Sequence, residues 1–160
     1  MKTKQKFLTG LLAALALALL IGCAARPADK PYRCTVEVVC DDALAHSDAL
    51  DDARLLEILP DDGVMLRPMD VDFDAGDTAW DAFQTAAQSA KLQYESDGTG
   101  ESAYLIGIGN LYTGDAGDNS GWIFEVNGQS PDVGCGRYEL QDGDAVTFRY
   151  VYDFNEYFSE

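Results

Sequence analysis

The residue most plainly placed for chemistry is Cys23. It closes the tetrad Leu20-Ile21-Gly22-Cys23, at the end of an apolar run from Phe7 broken only by Thr9 and Gly10. Lys2, Lys4 and Lys6 precede the run. A basic start, a short apolar core and small residues before a cut are the parts of a secretory signal. The run is shorter than the ~20 apolar residues a spanning helix needs. The tetrad fits the lipobox of bacterial lipoprotein processing, so Cys23 is expected to become the first residue and to carry diacylglycerol on its thiol. Residues 1–22 are read as the signal peptide and 23–32 as a lipidated tether. The mature chain is then expected on the outer face of the cytoplasmic membrane, with lipid as its only membrane contact.

The other reactive residue types make no comparable constellation. Three cysteines remain, Cys34, Cys40 and Cys135. Cys34 and Cys40 stand six apart in a strand-like run, and at ~3.3 Å per residue they are too distant to bond each other. Cys135 can pair with Cys34 or with Cys40, and one thiol is left over. His46 is the single histidine, so no metal set of the His/Cys kind is expected. Asp70, Asp72 and Asp74 invite calcium, but an EF-hand loop needs glycine at its sixth position. Here that position is Ala75. The loop Asp115-Ala116-Gly117-Asp118-Asn119-Ser120 is explained by turn chemistry. A nucleophile needs a neighbouring base, and neither that pairing nor a glycine-rich phosphate loop is present. No enzyme is expected, and no cofactor is required.

Charge narrows the partners. The whole chain carries a formal charge of −17, and removal of residues 1–22 leaves 8 basic against 28 acidic residues, or −20. Such a field argues against nucleic acid, anionic membrane surfaces and anionic ligands. What remains is an aromatic and polar cluster in the last third. Tyr104, Leu111, Tyr112, Trp122, Phe124 and Tyr138 accompany Asn110, Asn119, Ser120, Asn127, Gln129 and Ser130. Aromatics supply apolar contact and amides supply orientation, a mixture suited to an uncharged or zwitterionic ligand. The same aromatics would also fill the core of a small sheet.

The elements that must position these residues follow from periodicity. Residues 33–40 alternate and are β-branched, so they read as a strand. Ala49, Leu50, Ala53, Leu56 and Leu59 recur at helical spacing, which predicts a short helix on the core. Residues 64–73 are extended, with Val71 and Phe73 on one side and the aspartates on the other. Thr78 and Asp81 have capping-box spacing at the start of a helix running to Ala90. Strands are expected at 92–95, 104–108, 121–126, 137–140 and 145–152. Asn127-Gly128 is a hairpin signal, because both residues tolerate positive φ. The order predicts an α+β fold with a mixed or antiparallel sheet and one main helix packed on it.

Several of these segments together resemble one family. They are Tyr104 to Tyr112, Asp118 to Gly128, Pro131 with Gly134-Cys135, and Leu140 to Asp144, preceded by Cys34 to Cys40, the Pro60-Asp61-Asp62-Gly63-Val64 turn and the Gly76-Asp77-Thr78 helix start. This pattern is similar to the transcobalamin C-terminal-like domain and covers residues 33–153, leaving 154–160 as a tail. The resemblance implies a β-grasp-like fold. In animal cobalamin carriers the corresponding domain closes over the corrin beside a separate helical domain, for which the 138 residues from Cys23 onward have no room. Many bacterial relatives have Cys where this chain has Ala116 and Tyr152, so their disulfides do not all carry over.

The resemblance therefore implies a membrane-anchored ligand-binding lipoprotein with cobalamin or another corrinoid as ligand. The loop 109–120 and the hairpin 127–131 would form the contact surface, through Tyr112, Asn119, Ser120, Trp122, Asn127 and Gln129. Trp122 would be a partly buried floor with one edge open. The alternatives are a protein-interaction or adhesion module facing a cell-envelope protein and, more remotely, an accessory of a membrane transporter.

Overall fold

A computed structural model describes residues 30–159. Residues 1–29, with the expected signal peptide and Cys23, lie outside the described residues, as does Glu160. No described helix is long and apolar enough to cross a membrane.

The first strand, β1 (Tyr32–Val39), turns Cys34, Val36 and Val38 inward. It pairs antiparallel with β2 (Val64–Phe73), Cys34 opposite Val71 and Tyr32 opposite Phe73. The register slips beyond Val36, which faces Met69, to Val38, which faces Leu66. One extra β2 residue lies in that interval, at Arg67-Pro68. Proline cannot donate to a ladder and is tolerated where a bulge breaks it. As the alternation predicts, Val71 and Phe73 are buried while Asp70 and Asp72 are exposed.

The expected single helix between these strands is not formed. The segment makes α1 (Asp41–Ala45) and two 3-10 turns, Ser47–Ala49 and Ala53–Glu57. Leu50, Leu55 and Leu59 are buried, whereas Leu56 is exposed. Asp52 explains the break: its side chain caps the second turn by accepting from Arg54 N at 2.9 Å. Aspartate competes well for local backbone groups at helix starts and poorly continues a helix.

The main helix, α2 (Ala79–Ala90), forms as its sequence directs. Thr78 Oγ1 accepts from Asp81 N at 3.3 Å, and Asp81 Oδ2 accepts from Thr78 N at 2.8 Å. Its buried face is Ala79, Trp80, Ala82, Phe83, Ala86 and Ala87. The four alanines let the helix lie close to the sheet, where the Phe83 and Phe148 rings meet at 4.5 Å. Lys91 ends it in the left-handed region at φ 56°.

After α2 the chain builds a second sheet, which the sequence did not separate from the first. It contains β3 (Tyr94–Asp97), β4 (Tyr104–Ile108) and the short β5 (Leu111–Tyr112), in that order. Then β6 (Gly121–Val126) and β7 (Ala145–Val151) complete the first sheet, whose order is β2-β1-β7-β6. β7 runs parallel to β1 and antiparallel to β6. Two antiparallel strands, a helix, and a late strand returning parallel to the first make an α+β fold of β-grasp type.

Two further expectations are corrected. The Asn127-Gly128 turn forms, with φ of 54° and 76°. Its return arm pairs only at Gln129, however, and residues 137–140 form no strand, making only an isolated antiparallel bridge from Glu139 to Thr78. The reason is a competing carboxylate. Asp144 is buried and accepts from Asn127 Nδ2 at 2.9 Å and Gln141 N at 2.8 Å. It ties the loop to the start of β7. The tail is also structured: Phe154–Tyr157 form α3, whose Tyr157 hydroxyl donates to Glu125 on β6.

Candidate functional site

Where β4 of the second sheet passes β6 of the first, the chain leaves an apolar notch of about 170 Å³. Leu105, Trp122, Phe124 and Phe148 line it, with Tyr104 and Ser130 also at its walls. Tyr104 is 49% exposed, and Val133 in the adjoining loop is also exposed. An exposed aromatic beside an apolar opening is the informative feature on so acidic a chain.

One wall is set by the loop 134–138, which also caps α2. Trp80 N donates to Cys135 O at 3.1 Å and Ala79 N to Tyr138 O at 3.0 Å, satisfying two donors at the helix start. Gly136 lets the same loop pack against Gly100. A Cβ there would sit 2.0 Å from Gly100 O, so no other residue fits without moving backbone. Cys135 Sγ lies 3.7 Å from Ala103 O, to which it donates.

The six expected contact residues do not converge. Trp122 is 4% exposed, its Nε1 donates to Leu111 O at 2.9 Å, and its ring meets Tyr150 edge-on at 5.3 Å. It forms part of the notch's lining, but the expected open edge beside Asn119, Ser120 and Tyr112 is not there. Ser120 is fully buried. Its hydroxyl bonds Gly117 O and the Tyr150 hydroxyl, each at 2.8 Å, and accepts from Ala116 N at 3.1 Å. Asn119 Nδ2 donates to Asp153, and Asn119 O accepts from Phe154 N at 3.0 Å, so it fastens α3. Tyr112 covers Gly107, where a Cβ would meet its ring at 2.5 Å, beside a separate hollow of about 330 Å³. Asn127 and Gln129 lie beyond the opposite end of β6 from Asn119 and Ser120. Asn127 is bound to Asp144 and Ala145 N.

Of the six, only Trp122 lines the notch. Tyr104, Phe124 and Ser130 stood in the aromatic and polar cluster. Gly134 stood only in the family pattern, with Pro131 and Cys135, and Val133 in neither.

The remaining reactive groups are quiet. Cys34, Cys40 and Cys135 are all free and buried. The expected pairing of Cys135 with Cys34 or Cys40 is not made, because each thiol is held elsewhere. Cys34 faces Val71 across the ladder, Cys40 N bonds Gly63 O at the far end of β1, and Cys135 lies over the start of α2. Burial pushes the Cys34 and Cys135 thiols up to about 11 and Cys40 to about 12. A thiolate is the reactive form, so these thiols are inert near neutral pH. His46 stacks on Tyr152 at 4.3 Å, with Nδ1 3.2 Å from Asp42 Oδ1. Among the described residues, no group of three or more His, Cys, Asp or Glu is arranged to hold a metal ion.

With that geometry established, the fold can be set beside known proteins. It is shared with part of haptocorrin, solved in complex with Cbi, at a TM-score of 0.54 and 12% identity. The match covers 83% of this chain and 29% of the haptocorrin chain, so it spans less than a third of that protein. A proposed metal-binding protein from Ruminococcus gnavus ATCC 29149 aligns at a TM-score of 0.40 and 13% identity, over 74% of this chain and 95% of that one. The family model described as Domain of unknown function (DUF4430) matches residues 76–151, from the start of α2 to the end of β7. No curated protein sequence matches the chain.

Proposed function

We propose that this chain is an extracytoplasmic ligand-binding module, held at the outer face of the cytoplasmic membrane by lipid on Cys23, and that its ligand is a corrinoid. The observation that carries the reading is the solvent-facing apolar notch between β4 and β6, with Tyr104 at its mouth. Haptocorrin, which was solved with Cbi, supports it through the shared fold. The module acts by binding rather than catalysis, in keeping with its buried, protonated thiols.

Size defines the binding mode. A volume of about 170 Å³ lies below the ~300–1,000 Å³ of ordinary ligand pockets and is far too little for a macrocycle. The corrin would lie across the mouth on Tyr104 and Val133, with one projecting group inside. Ligand sites bury 70–90% of a small molecule, and one face cannot do so. This domain therefore covers one face of the corrin and binds it alone, and a second protein surface would raise the affinity. The same small volume favours a second reading, in which a partner's apolar side chain occupies the notch.

The test is retention of colour. Detergent-solubilised full-length protein is incubated with cobinamide or cobalamin and desalted, beside Tyr104→Ala. Retained absorbance in the wild type, reduced in the variant, is expected. No retained colour in either moves the reading to the protein-interaction module. Anchoring is tested by Cys23→Ser, which should leave the membrane fraction. A variant that stays there with unchanged mobility removes the lipid from the account.

A further inference from the structure

A second opening shares no lining residue with the notch and rests on a different observation. Among the described residues β2 ends its sheet, paired on one side with β1. The hydrogen bonds of β1 reveal which β2 groups are free. Arg33 N donates to Asp142 Oδ1 at 2.9 Å, and Arg33 O accepts from Gly143 N at 2.7 Å. Thr35 N donates to Asp144 O at 2.9 Å. Arg33 and Thr35 thus turn their main-chain groups away from β2. Residues directly opposite in an antiparallel ladder either exchange both bonds or exchange none. Their partners Asp72 and Asp70 must therefore point both N–H and C=O away from β1, toward the open edge. Pro68, which has no N–H, closes this stretch at one end.

That edge borders a groove of about 710 Å³ between β2 and α2. Asp72 and the strand around it form one wall. Gln84, Thr85 and Gln88 of α2 form the other, over the small side chains of Ala82 and Ala87, and Lys30, paired with Asp77 at 2.9 Å, Asp81 and Lys91 also line the groove. The Asp70 and Asp72 side chains stand exposed at the edge, and Arg33 reaches both, at 3.7 and 2.8 Å. A strand added here would place alternate side chains beside these two carboxylates, where opposite charge stabilises a cross-strand pair.

We propose that the free edge of β2, from Met69 to Phe73, is a docking site for an extended polypeptide with Lys or Arg at alternate positions. The incoming strand extends the β2-β1-β7-β6 sheet by pairing with the main chain of Asp70 and Asp72. Its basic residues lie beside the aspartates, and the residues between them face the alanine floor of α2. This is strand addition, in which main-chain bonds supply affinity and alternate side chains supply selectivity. The charge of the whole chain, −17, draws the same class of partner.

The experiment uses the full-length protein in detergent and the probe acetyl-Lys-Val-Lys-Val-Lys-Val-Lys-amide, with amide hydrogen exchange as readout. Slowed exchange at Asp70 and Asp72 is expected. So is at least a tenfold weaker effect from a probe N-methylated at alternate amides. Thr85→Trp, an exposed substitution that fills the groove, should weaken binding tenfold or more. The double variant Asp70→Lys/Asp72→Lys should transfer the preference to acetyl-Glu-Val-Glu-Val-Glu-Val-Glu-amide. Unchanged exchange at millimolar probe would overturn the proposal and leave Pro68 and the aspartates as devices that keep the edge unpaired. Equal binding of the N-methylated probe would also overturn it, reducing the effect to charge attraction. Protection of the groove by a chitin tetramer but not by the peptide would overturn it in favour of a saccharide.

Discussion

Replacing Trp122 separates a core residue from a ligand platform. The ring is almost wholly enclosed, meets Tyr150 edge-on and donates its N–H to Leu111 O. Truncating a buried aromatic to alanine costs ~3–5 kcal/mol. Orphaning a buried carbonyl costs ~1–3 kcal/mol more. Trp122→Ala should therefore lose roughly 4–8 kcal/mol, against the ~5–15 kcal/mol total of a typical domain, and is expected to be largely unfolded at 37 °C. Trp122→Phe keeps most of the apolar contact and loses the hydrogen bond, so it should cost about 1–3 kcal/mol. Urea unfolding followed by far-ultraviolet circular dichroism measures both. A cost below about 1 kcal/mol for Trp122→Ala would refute the core assignment and return Trp122 to the surface.

The other predictions use the same comparison of folded and unfolded states. Ser120→Ala orphans the buried Ala116 N–H and removes one of the two partners of the Tyr150 hydroxyl, which keeps Tyr112 O, and should cost about 1–3 kcal/mol; a neutral outcome in urea titration would contradict the buried network. Unreduced, unfolded protein should label with thiol reagent at Cys34, Cys40 and Cys135, while the folded protein labels slowly at pH 8; an intramolecular disulfide by mass would contradict this. Burial first, and then its bond to Glu125, raises the Tyr157 phenol to about 12. Its folded pKa thus exceeds the unfolded value of ~10, so its contribution is whole below pH 10 and is lost as pH rises toward 12. Burial also raises Tyr138 and Tyr150, so tyrosinate absorbance should show several late-titrating phenols and lose one of them in Tyr157→Phe; an unchanged titration curve would contradict the contact.

The elements legible in the sequence were those whose local chemistry agreed with the fold. Thr78 and Asp81 announced α2, and the alternation of Val71 and Phe73 with aspartates announced β2. The hairpin signal at Asn127-Gly128 gave the correct turn but the wrong partner for β6. That pairing is decided by the buried Asp144, 17 residues away along the chain, whose role has no local signature. Asn119 and Ser120 looked like ligand donors because amides and hydroxyls carry the same chemistry whether they face a ligand or a helix cap. Only the positions of Asp153 and Tyr150 distinguish the two. The notch itself depends on how two sheets meet, through Gly136 packing on Gly100, which periodicity cannot encode.

Calorimetric titration of the purified protein with cobinamide, repeated with Tyr104→Ala, tests the ligand-binding account most directly. Tyr104 is half exposed at the notch, so the substitution should leave the unfolding midpoint nearly unchanged. The account predicts saturable heat for the wild type and a loss of roughly tenfold or more in affinity for the variant, the ~1.4 kcal/mol or more expected on removing an aromatic contact. No heat at millimolar cobinamide would contradict a corrinoid-binding role for this domain acting alone, and undiminished binding by Tyr104→Ala would contradict the notch as its site.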